Sequence, residues 1–144
     1  MSKRVEVEIT IPNHTKHLGM VGRIGESMAY SLKSYAGNRR ELAYHLNLVL
    51  TEALANVINH ANKCDPEKEV KTVIIASDQD LIIKVFDQGD GFDIETLAQL
   101  ESTDSDEGGR GVQIICKLMD QVRYYREGTY NVLEMTKHLG KNTD

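Results

Sequence analysis

The chain has 144 residues, 40% of them hydrophobic and 27% charged, which suits one soluble globular domain with a sizeable core. Its 17 basic and 22 acidic residues give a net charge of −5, which argues against a general nucleic-acid surface, so a bound anion must find local donors. No apolar run approaches the roughly 20 residues needed to cross a membrane, the N-terminal segment lacks the character of a signal peptide, and Cys64 and Cys116 fit no metal spacing, which points to the cytoplasm.

Val5, Val7, Ile9 and Ile11 alternate with polar residues and predict a half-buried strand that Pro12 ends. Leu18, Val21, Gly25, Met28, Leu32 and Tyr35 recur at helical spacing and predict a first helix to about Ala36, with Gly37-Asn38 as its stop. A second helix is expected from about Arg39 to Ala61, its apolar stripe running Leu42, Leu46, Val49, Leu50, Ala53, Val57 and Ala61. Val70–Ala76 and Leu81–Phe86 predict an antiparallel hairpin across Ser77-Asp78-Gln79-Asp80. Asp93 is placed to cap a short helix to Leu100, and Glu101–Glu107, with no apolar residue, is expected to be a mobile loop. Gly111 opens a third long helix, and Val122–Arg126 with Tyr130–Thr136 form a closing hairpin around Gly128. The order predicts an α/β fold, an α+β two-layer sandwich whose mostly antiparallel sheet is covered on one face by three helices. Residues 1–140 read as a single domain and 141–144 as a frayed tail.

Three segments depart from simple structural duty. Glu52, Asn56, Asn59 and His60 line the polar side of the second helix, yet Glu52 and Asn56 stand in a stretch too apolar for a face seen only by water. An acid and an amide one turn apart suit Mg²⁺ beside substrate phosphates, and the carboxylate can take a proton from an attacking hydroxyl. Asp87-Gln88-Gly89-Asp90-Gly91-Phe92 leaves an apolar strand with a fixed carboxylate and two glycines that let backbone approach a ligand. Gly108-Gly109-Arg110-Gly111 exposes backbone NH groups at a helix start, a phosphate-binding arrangement or else a flexible hinge. It matches neither the P-loop nor the dinucleotide fingerprint.

In this order the segments resemble the Bergerat-type, or GHKL, ATP-binding family of gyrase, Hsp90, histidine kinases and MutL. Within it the chain is most similar, over nearly its whole length, to the small anti-sigma-factor serine/threonine kinases of the RsbW and SpoIIAB type. The resemblance implies a histidine-kinase-like ATPase domain with ATP and Mg²⁺ as cofactors. Glu52 would be the general base for an acceptor serine, and Asn56 would bind the metal. Asp87 would accept the adenine amino group, Gly89 and Gly91 would shape the base pocket, and Gly109 and Gly111 would bring NH groups to the phosphates beneath a lid at Glu101–Gly108. His60 is either a phosphate contact or a helix-surface histidine, and Arg110 reaches a phosphate, a partner or solvent. The implied partners are a STAS-domain anti-anti-sigma protein, which is phosphorylated, and a sigma factor or similar regulator, which is sequestered; a homodimer is a further expectation by analogy. The alternative is a nucleotide-gated binding switch without chemistry. The catalytic half of a histidine kinase fits less well, since a phosphoacceptor helix pair is expected to be absent and His14, His17 and His45 lack its surroundings.

Overall fold

Alternation along the strands sets the architecture, because side chains of successive residues point to opposite faces of a sheet. The computed structural model describes residues 4–33, 35–91, 93 and 111–140. Within them five strands form one sheet: β1 (Val5–Pro12), β2 (Glu69–Ala76), β3 (Asp80–Asp87), β4 (Gln121–Glu127) and β5 (Tyr130–His138), in the order β1-β2-β3-β5-β4. Every neighbouring pair is antiparallel. The register aligns Val7, Ile74, Ile83, Met135 and Val122 in one inward row, and Ile9, Thr72, Val85, Leu133 and Tyr124 in the next. The intervening row, Glu8, Val73, Lys84, Glu134 and Arg123, faces outward. Its charges pair along it, with Glu134 meeting both Lys84 and Arg123.

Three helices cover the inward face: α1 (Leu18–Ser31), α2 (Arg39–Asn56) and α3 (Gly111–Leu118). The expected stripe of α2 is buried throughout, from Leu42 to Ala61. Asn38, expected to help stop the first helix, instead caps the second, its side chain accepting from the Glu41 amide at 3.1 Å. α1 packs so closely on α2 that a Cβ on Gly25 would fall 2.3 Å from Leu50 Cδ1.

One expectation on helix length needs correction. The first helix stops at Ser31 rather than near Ala36, because Leu32 leaves the helical region at φ −86°, ψ 74°. The Ser31 hydroxyl donates to the Met28 carbonyl, a local bond that competes with continuing the helix. Leu32 and Tyr35 still reach the core, but from the turn that follows. The second helix does run to Ala61, but its last turn, Val57–Ala61, widens to π geometry. Such turns recur at functional sites. The short helix expected at Asp93–Leu100 and the loop Glu101–Glu107 lie outside the described residues, apart from Asp93 itself. None of the described helices is long and apolar enough to cross a membrane.

Candidate nucleotide site

The π turn at the end of α2, the loop leaving β3 and the start of α3 meet at one end of the sheet. β3 alternates strictly, with Leu81, Ile83, Val85 and Asp87 all buried, so the parity that builds the core also turns Asp87 inward. Its carboxylate is 1% exposed. Burying a carboxylate is costly unless donors satisfy it. Here Oδ1 accepts from the Gly89 amide at 2.9 Å and from Asn131 Nδ2 at 2.9 Å. Oδ2 accepts from the Tyr124 hydroxyl at 3.3 Å.

Both glycines of the loop have reasons for being glycine. A Cβ on Gly89 would lie 1.9 Å from the Ala61 carbonyl oxygen, so the loop rests directly on the π turn. Gly91 has φ +81°, a conformation that side-chain-bearing residues rarely adopt. Lys63 and Asp90 join the same two segments by an exposed ion pair at 3.0 Å. Beneath them Asn62, wholly buried, donates to Asn13 Oδ1 at 3.0 Å, and Asn13 donates to the Asp65 carbonyl.

On the other side of the π turn, α3 begins against the polar residues of α2. A Cβ on Gly111 would fall 2.6 Å from Glu52 Oε2 and 3.1 Å from Asn56 Nδ2. The positive end of α3 thus abuts a half-buried carboxylate and a buried amide. Asn56 is 7% exposed, and its Nδ2 has no hydrogen-bond partner among the described residues. An unsatisfied buried amide costs stability and is the kind of group a ligand satisfies. Asn59 and His60, expected in line with Glu52 and Asn56, are exposed on the widened turn, where Asn59 accepts from the Cys64 thiol. Gly109 and Arg110 lie outside the described residues.

Two segments far apart in sequence therefore pack against α2 and its π turn, the Asp87–Gly91 loop through Gly89 and the start of α3 through Gly111. The profile of the histidine kinase-like ATPase domain matches residues 15–137. The chain belongs to that family. The sheet and its three helices are consistent with the GHKL-type ATPase fold, and ATP is the nucleotide the family binds. The chain is 30% identical to a "Serine-protein kinase RsbW" of Listeria monocytogenes serotype 4a (strain HCC23), over 94% of its own length and 88% of the relative's. It is 28% identical to the protein of that name from Staphylococcus aureus (strain Newman), over 97% and 91%.

Sequence reasoning missed the partners of Asp87. Tyr124 and Asn131 belong to β4 and β5, well over thirty residues downstream. One signal was available: Asn131 shares the inward parity of Leu133 and Met135, so it is a polar residue in a core-facing position.

Proposed function

We propose that this GHKL domain is a protein-serine kinase that also acts as an anti-sigma factor. In this reading it phosphorylates a STAS-domain antagonist with ATP and Mg²⁺, and it sequesters a sigma factor or similar regulator. The observation that carries the reading is the seat of Gly111, whose missing Cβ leaves Glu52 and Asn56 against the first turn of α3. Phosphoryl transfer asks mainly for positioning and charge neutralisation. The backbone NH groups opening α3 supply donors for phosphate oxygens, and the helix dipole favours anions there. Glu52 stands beside that position and takes the proton of an incoming serine hydroxyl. Asp87 receives the base, and Gly89 keeps the loop low against the π turn.

The residues suit a divalent cation. Mg²⁺ prefers oxygen donors and keeps several waters, so it needs few protein ligands. A half-turn of the unpartnered Asn56 amide presents Oδ1, and Glu52 supplies negative charge nearby. Held by Asn56 with Glu52 nearby, Mg²⁺ would supply positive charge that neutralises the phosphates.

Glu52→Ala tests the chemistry. Transfer of labelled phosphate from ATP to the STAS partner should fall on the order of 10²–10⁴-fold, with ATP affinity nearly unchanged. Transfer at the normal rate would remove Glu52 as the base. A wild-type chain that binds nucleotide and captures its regulator, yet transfers nothing in a single turnover, would instead be a nucleotide-gated switch. Candidate partners come from capture experiments run separately with ATP and with ADP.

A further inference from the structure

The Asp87 carboxylate is nearly full before any nucleotide arrives. A carboxylate offers about four lone-pair sites, two on each oxygen. Oδ1 already accepts from the Gly89 amide and from Asn131 Nδ2, each at 2.9 Å. Oδ2 accepts only from the Tyr124 hydroxyl among the described residues, at 3.3 Å. Among the described residues one acceptor site remains, and it is on Oδ2.

We propose that Asn131 is a specificity-determining residue, which selects adenine over guanine by occupying Asp87 Oδ1. The inference rests on the reading of Asp87 as the group that receives the base. Adenine presents a single amino group beside a ring nitrogen that accepts, and one vacancy serves it. Guanine presents a ring N–H and an amino N–H side by side, which grip a carboxylate through both oxygens. With Oδ1 filled, guanine's second donor is left buried without a partner, and a polar group stranded in that way is what makes a pocket reject an analogue.

Asn131 is held for this task. It lies directly opposite Asp87 in the β3–β5 register and is 7% exposed. Its Oδ1 accepts from Arg126 Nη1 at 3.4 Å, which turns Nδ2 toward Asp87. The same Nδ2 donates to the Gly89 carbonyl at 3.0 Å, so one amide group fixes both the carboxylate and the loop beside it. The Gly89 amide belongs to the main chain. Asn131 is therefore the Oδ1 donor that a side-chain substitution can withdraw.

The test compares dissociation constants for ATP and GTP in the full chain. Asn131→Leu keeps the branch at Cγ and removes the donor, freeing one site on Oδ1. The preference for ATP should fall on the order of tenfold, mainly because GTP binds more tightly. Tyr124→Phe vacates only Oδ2 and should leave the preference intact. Asn131→Ala removes the same donor without a branched side chain and serves if the leucine variant does not fold, as judged by thermal melting. An unchanged ATP-to-GTP ratio in folded Asn131 variants overturns the proposal. So does an equal loss of preference in Tyr124→Phe, or a failure of both Asn131 variants to fold, which would make the residue structural. Asp87→Asn separates this from the underlying reading: undiminished ATP affinity in that variant would show that Asp87 does not receive the base at all.

Discussion

Tyr125 projects from the outer face of the sheet, where its hydroxyl donates to Glu134 Oε1 at 2.8 Å and Arg123 stacks over its ring at 4.9 Å. Burial, then the bond to Glu134, push the phenol up to about 12 from its ordinary 10.0. Because the folded value is raised, whatever stability this contact gives is fully present below the ordinary value and is lost as pH rises through about 12. A spectrophotometric titration should show a late phenol that Tyr125→Phe removes, and Glu134→Gln should bring it part of the way back, since burial is the larger cause. A late phenol that persists in Tyr125→Phe, or the absence of any late phenol, would contradict this. At this scale the sequence was legible where chemistry and spacing coincide. Glu52 and Asn56 stood out as polar residues within an apolar stretch of helix, and Asp87 as an acid at the end of a strand followed by two glycines. Tyr124 did not, and Asn131 offered only its inward parity, because their pairing with Asp87 comes from cross-strand register, which no local pattern contains.

Helix α1 meets α2 through Gly25, and the fit leaves no room for a methyl group against Leu50. Gly25→Ala should destabilise the fold by about 1–3 kcal/mol through overpacking, and Leu50→Ala, emptying a fully buried site, by about 2–5 kcal/mol. Combined, the two should cost less than their sum, with a coupling of about 0.5–3 kcal/mol in denaturant unfolding. Strict additivity would mean that the contact is slack. The helical spacing placed Gly25 on the inward face correctly. What spacing could not show was where α1 stops or that α2 widens after Asn56. The first depends on the Ser31 hydroxyl bonding back to the Met28 carbonyl. The second goes with a tertiary contact, the Gly89 backbone seated on the Ala61 carbonyl.

Across the whole molecule, the site draws on α2, β3, β4, β5 and α3, so a bound nucleotide ties the sheet to its helical layer. A ligand that binds only the folded state stabilises it by about 2.7 kcal/mol at a hundredfold excess over Kd. For a chain of this size that corresponds to a rise in Tm of about 5–10 °C. Thermal melts with Mg²⁺ and ATP should show it, and Asp87→Asn should not. The two hairpins were legible from their turn residues and alternating strands, and so was the side on which the helices lie. The strand order was not: both hairpins would survive if β4 rather than β5 lay beside β3, and only the long-range register settles it.

The central place of β5 has a consequence for how the protein is made. β5 follows every other strand in the chain, yet it sits between β3 and β4. During translation, β1, β2 and β3 emerge first, and β3 then presents an unpaired row of backbone donors and acceptors, the kind of edge that invites misassembly. It also ends in a carboxylate whose amide partner has not yet left the ribosome. Closing that edge and completing that carboxylate are one event. The nascent chain thus closes its sheet and completes the Asp87 carboxylate together, once β5 has emerged, and a chaperone that recognises open strand edges should release the protein at that point.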